Sequence, residues 1–234
     1  MSTADEHDVL IHADDVFLDG ILSLPAMGAQ GIVIFAHGSG SSRFSKRNRQ
    51  VAACLNDAGF ATLLFDLLTK DENEKDIYTA EYRFNIHLLS QRLVKVVDWL
   101  MLDNNTNALP AGLFGASTGA AAALVAAADR PERVKCVVSR GGRPDLAGEA
   151  LSRVKAPTLL LVGSRDTDVI ELNRLAAARI RCEYQLTLVS GATHLFEEPG
   201  ALERVSQLAS EWFTRHLLPH PRLERPMPHR ALRP

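Results

Sequence analysis

The chain has 234 residues, 46% of them apolar and 23% charged, with a formal net charge of −2 at pH 7. These values suit a globular chain with a large core, exclude a disordered one, and give no electrostatic basis for binding nucleic acid. Cys54, Cys136 and Cys182 lie far apart with no C-x-x-C pair, which argues against a zinc site or disulfide framework and for a reducing compartment.

The first eight residues, Met1 to Asp8, are polar and acidic, the opposite of a secretory leader. The longest wholly apolar run, Ala120 to Ala128, falls far short of the roughly 20 residues that span a bilayer. A cytoplasmic protein with no membrane contact is expected. Val9–His12 and Val16–Leu24 read as an antiparallel edge. Further strands are expected at Gly31–Ala36, Ala61–Asp66, Ala111–Phe114, Val134–Ser139, Thr158–Val162 and Tyr184–Val189, most of them near-continuous in Val, Ile, Leu and Ala, as strands covered on both faces are.

Between them, Ile86, Leu89, Leu93, Val96, Val97 and Leu100 recur at helical spacing and form one apolar stripe. Ser45–Ala58, Ser117–Ala128, Val169–Ile180 and Leu202–Leu218 also read as helices, while Leu67 to Glu81 reads as a loop carrying Tyr78. Tyr82 and Phe84 follow it, and these aromatics are expected to pack a helix on the sheet or to wall a pocket. The alternation implies an α/β fold, a mostly parallel doubly wound sheet with helices on both faces. One domain is expected over residues 1–218, followed at 219–234 by a tail with five prolines and four arginines, which reads as disordered.

Leu113-Phe114-Gly115-Ala116-Ser117-Thr118-Gly119 places a serine between two glycines, where an apolar strand gives way to an alanine-rich helix. This G-x-S-x-G pattern makes a tight strand-to-helix turn that exposes the hydroxyl as a nucleophile. The alternative for the pentapeptide alone is a helix-capping serine. In an open α/β sheet, ligand chemistry gathers at the carboxyl ends of the strands, and two further groups fall there. Gly163-Ser-Arg-Asp166 follows one strand and Gly191-Ala-Thr-His194 the next. The chain order Ser117, Asp166, His194 is the order of a triad on such a fold. His194 would take the serine proton and Asp166 would orient the imidazole. Asp168 and Asp145 remain rivals for the acid, Asp168 being expected to cap the following helix.

His37-Gly38-Ser39-Gly40 follows the strand at Gly31–Ala36. Its small residues let backbone N–H groups approach an oxyanion, with Ser39 and Thr118 as the expected donors. A phosphate loop is excluded because the G-x-x-x-x-G-K-[ST] pattern is absent. His37 is expected to bond neighbouring backbone, and His37, Gly38, Arg43 and Arg143 are candidate substrate contacts, the two arginines for a carboxylate. No metal-ligand cluster or cofactor motif is present, so neither a metal nor a cofactor is expected. The oligomeric state is left open.

With these motifs in place, the chain resembles the α/β-hydrolases over about Val16 to Leu218, and among them the small dienelactone-hydrolase-like esterases. The resemblance implies hydrolysis of a small-molecule carboxylic ester through a Ser117 acyl-enzyme. Dienelactone hydrolases themselves use a cysteine nucleophile where this chain has Ser117, which favours a carboxylesterase. Only residues 140 to 156 are available where many relatives insert a cap, enough for one short helix, so an open site is implied. The alternatives are a lactonase, a thioesterase, or a hydrolase fold retired to binding.

Overall fold

A computed structural model describes residues 4–218; the Pro/Arg-rich tail expected at 219–234 lies outside the described residues. Its centre is one eight-stranded sheet: β1 (Asp5–Ala13), β2 (Val16–Leu24), β3 (Ile32–Ala36), β4 (Ala61–Phe65), β5 (Ala111–Ala116), β6 (Val134–Arg140), β7 (Thr158–Gly163) and β8 (Tyr184–Val189). The spatial order is β1-β2-β4-β3-β5-β6-β7-β8. The β1–β2 and β2–β4 pairs are antiparallel, and every other pair is parallel.

The central strands are apolar throughout because the sheet is covered twice. Along β3, Ile32, Ile34 and Ala36 enter one core layer, while Val33 and Phe35 enter the other. The first layer is closed by α3 (Ile86–Leu100), α4 (Thr118–Asp129) and α5 (Thr167–Ala177); the second is closed by α1 (Lys46–Asp57) and α6 (Ala201–Leu217). Leu89, Leu93, Val96, Val97 and Leu100 of the α3 stripe are all buried. Each such side chain contributes about 1.5–3 kcal/mol on leaving water, which makes this stripe the main anchor of α3.

One helix is not where composition suggests a loop. α2 (Lys70–Thr79) forms inside Leu67–Glu81 although six of its ten residues are charged and only Asp76 is buried. Its signal is the capping box: Thr69 Oγ1 accepts from Glu72 N–H, and the Glu72 carboxylate accepts from Thr69 N–H, which satisfies two otherwise orphaned donors. Arg92 on α3 ties Glu72 down with a two-pronged ion pair. Tyr78 is 89% exposed and Phe84 is 58% exposed, so neither walls a pocket nor packs a helix on the sheet; of the three aromatics only Tyr82 packs against the core. The segment between β6 and β7 holds only a 3-10 stretch, Pro144–Ser152, so no large cap covers the strand ends.

Candidate active site

Gly115 and Gly119 bracket Ser117 because nothing larger fits. A Cβ on Gly115 would lie 2.4 Å from Ala120 Cα, and one on Gly119 would lie 2.2 Å from the Ala36 carbonyl oxygen. Between them Ser117 holds φ 50° and ψ −122°, a region that costs a non-glycine residue roughly 1–3 kcal/mol. The strained turn is held from three sides. Ser117 N–H donates to Arg140 O at 3.3 Å, and Ser117 O accepts from Ala120 N–H at 3.1 Å and Arg143 N–H at 3.0 Å. The hydroxyl does not cap α4, which removes the capping alternative.

The imidazole and the carboxylate meet across two loops. His194 Nδ1 and Asp166 Oδ2 are 2.6 Å apart, so Nδ1–H donates to the carboxylate and Nε2 remains available. Gly163 brings β7 close under the His194 loop, since a Cβ there would lie 2.4 Å from Ala192 O. A Cβ on Gly141 would lie 3.1 Å from His194 O and 3.7 Å from its Cε1. Gly141 directly follows Arg140, the residue that bonds Ser117 N–H, so the histidine stands against the strand end beside the elbow.

Asp166 also occupies the N-cap position of α5, without a capping bond from its side chain. The expectation that Asp168 caps this helix is therefore corrected: Asp168 sits in the first turn, exposed. Asp145 is paired with Arg143 at 2.9 and 2.8 Å, which leaves Asp166 as the carboxylate that meets His194.

The loop after β3 lies against the elbow, a Cβ on Gly38 falling 3.0 Å from Ser117 Cβ. His37 is buried with both ring nitrogens engaged: Nδ1 donates to Gly38 O at 2.9 Å, and Nε2 accepts from Leu67 N–H at 3.0 Å. Burial holds its pKa below the ordinary 6.5, although its bond to Gly38 and the Asp66 charge act the other way. His37 shapes the loop and presents no free nitrogen to a substrate. Ser39 N–H donates to Thr118 Oγ1 at 3.0 Å, so the N–H expected at an oxyanion is engaged within the protein.

A cavity of about 240 Å³ opens on the side of the loop after β3, bounded in part by Ser39, Thr118, Thr69, Lys70, Arg43 and Arg83. Arg43 faces it with its guanidinium bound to Asp66, and its backbone N–H donates to the same carboxylate at 2.6 Å. Arg83 is likewise held by Asp76, whose Oδ2 accepts from Arg83 Nε at 2.6 Å. Burial alone would raise the Asp76 pKa, but bonds from Arg83 and Tyr82 outweigh it and lower the value. Arg43 and Arg143 are thus both committed to carboxylates of the chain, and Arg143 does not line this cavity. That corrects the expectation of either as a free cation for a substrate carboxylate.

The family described as alpha/beta hydrolase fold matches residues 31–206. The chain is an α/β-hydrolase. A crystal structure of dienelactone hydrolase from Anabaena variabilis is 55% identical to this α/β-hydrolase, superposes with a TM-score of 0.89, and covers 92% of this chain and 99% of its own. Est1E from Butyrivibrio proteoclasticus shares the fold at 17% identity and a TM-score of 0.74, covering 89% of this chain and 98% of its own. A Mycobacterium tuberculosis protein, provisionally named a phosphoribosyl transferase, is 57% identical over 212 residues, or 91% of this chain. The α/β-hydrolase spans only 47% of that relative's length. Among the described residues, no helix is long and apolar enough to cross a membrane.

Proposed function

We propose that this α/β-hydrolase is a serine esterase that cleaves a small carboxylic ester through an acyl-enzyme on Ser117. The observation that carries the reading is the uncapped, positive-φ serine at the elbow, with a histidine held at 2.6 Å by a carboxylate on the neighbouring loop. Ser117 Oγ attacks the carbonyl carbon while its proton passes to His194 Nε2, and the Asp166 charge stabilises the imidazolium. The carbonyl oxygen becomes an oxyanion facing the Thr118 N–H and the loop of Ser39. Collapse expels the alkoxide, which takes the proton back from His194 and leaves as alcohol. Water, deprotonated in turn by His194, then attacks the acyl-enzyme; the acid departs, Ser117 recovers its proton, and the enzyme is restored.

The substrate is a small molecule, and neither a cofactor nor nucleic acid has a part in these steps. Lactone hydrolysis is the second reading, favoured by the 55% identity to a protein named dienelactone hydrolase. Phosphoribosyl transfer is the provisional name of a relative nearly twice this chain's length, and the half that this chain matches accounts for a hydrolase instead.

An organophosphonate probe should label the protein at Ser117, and turnover of p-nitrophenyl esters should fall by at least roughly 10³-fold in Ser117→Ala, since triad members act as a unit. Wild-type turnover in Ser117→Ala, or labelling at another residue, would overturn the reading.

A further inference from the structure

Arg140 ends β6 on the sheet face that carries Cys136 and Val138, towards α1 and α6. It is only 7% exposed, yet no carboxylate of the described residues pairs with it. Its Nε has no hydrogen-bond partner, and Nη2 makes one long bond of 3.3 Å to Asn48 Oδ1 in the first turn of α1. The neighbouring charge is a like one. Burial, with the repulsion of Arg47, draws the Arg140 guanidinium down to about 10.

Arg47 donates from Nη1 to Glu197 at 2.9 Å, but its Nε is also buried without a partner. Two adjacent guanidinium groups therefore have one carboxylate between them. The other well-buried arginine among the described residues is treated differently, since Arg92 is clasped by Glu72. A buried cation without a counter-charge is strongly unfavourable, and an unsatisfied buried donor calls for an explanation such as a bound ion.

We propose that Arg140, Arg47 and the first turn of α1 form a site for a small oxyanion, a carboxylate or phosphate group. The guanidinium fork presents parallel N–H donors that match two oxygens of such a group, and the α1 N-terminus adds partial positive charge in the same place. A guanidinium only 7% exposed can meet a small ion but not a macromolecular surface. The site adjoins the nucleophile through backbone: Arg140 O accepts the Ser117 N–H, and the next residue, Gly141, lies against His194. An occupant would brace the strand end that carries both contacts. The oxyanion has two possible sources, a free anion from solution or the acid group of the ester itself; the second rests on the esterase reading, and the first does not.

Thermal unfolding with inorganic phosphate, and separately with acetate, at constant ionic strength set by KCl tests the site without reference to catalysis. The wild-type midpoint should rise saturably with at least one of these anions. Arg140→Met should unfold at or above the wild-type midpoint in KCl alone, having lost an uncompensated charge, and should lose the anion response. Arg140→Lys, which keeps the charge but not the fork, should respond more weakly than wild type. A wild-type midpoint that no anion moves beyond KCl, or an Arg140→Met protein that keeps the full response, overturns the proposal. The source is decided by comparing a neutral acetate ester with a succinate half-ester. If the substrate supplies the anion, Arg140→Met raises KM at least 10-fold more for the half-ester than for the acetate; equal changes assign the site to a free anion.

Discussion

Ser39 N–H points at Thr118 Oγ1, 3.0 Å away, so a donor expected at the oxyanion is joined to the side chain of the residue that carries the other. The hydroxyl thus fixes the loop after β3 against the elbow. Thr118→Val keeps the Thr118 backbone N–H but releases that loop. We expect kcat to fall about 10-fold in Thr118→Val, less than the 10²–10³ associated with losing an oxyanion donor outright. Thr118→Ser should stay near wild type. Steady-state turnover of a p-nitrophenyl ester reads the difference, and an unchanged kcat in Thr118→Val would show that the loop holds its place alone.

The two aspartates after β7 should respond differently to substitution. Asp166→Asn removes the charge facing His194 Nδ1 and disturbs the tautomer, so kcat should drop on the order of 10²-fold or more. Asp168→Ala should cost only about 0.3–1 kcal/mol, the worth of an acidic first-turn residue at a helix N-terminus, with activity retained. Activity assays paired with urea unfolding separate the two outcomes.

Gly115→Ala places a methyl group 2.4 Å from Ala120 Cα, in backbone that cannot step aside without moving α4. Overpacking of this kind costs typically 1–3 kcal/mol and sometimes more, and here the upper end, about 3 kcal/mol, is expected. The elbow would also shift, so turnover should fall together with the urea midpoint. A stable, fully active Gly115→Ala protein would mean that the turn has slack the structure does not show.

Stability should depend on pH through His37. Burial keeps its folded pKa below the ordinary 6.5, so on acidification the unfolded chain takes up a proton that the folded chain refuses. Stability is complete above the unfolded value and is lost as pH falls through it towards the folded pKa. The lowered carboxylates Glu72 and Asp76 act only below their ordinary 4.5 and 3.8, outside this window. The urea midpoint should therefore drop between pH 7.5 and 5.5, and drop less in His37→Gln. That variant should also lose about 1 kcal/mol at pH 7.5 from a weakened bond to Leu67 N–H.

Much of this fold follows from local pattern. β2 and β8 have the bounds their sequences imply, and the other strands differ mainly at their ends, because period and turn residues are properties of short segments. The glycines around Ser117 likewise announce a close approach before any coordinates do. α2 was hidden because its charged residues carry no apolar stripe, and only the Thr69/Glu72 capping pair marks it. Asp166 could be separated from Asp145 and Asp168 only by tertiary structure, since the His194 loop reaches one carboxylate of the three. The same holds for Arg43, Arg143 and Arg140, which are alike as letters. Two are neutralised by carboxylates of the chain, and Arg43 draws its partner from 23 residues away. Arg140 is left buried with the like charge of Arg47 beside it, because the surroundings of Arg43 and Arg140 are set by chain segments that meet only on folding.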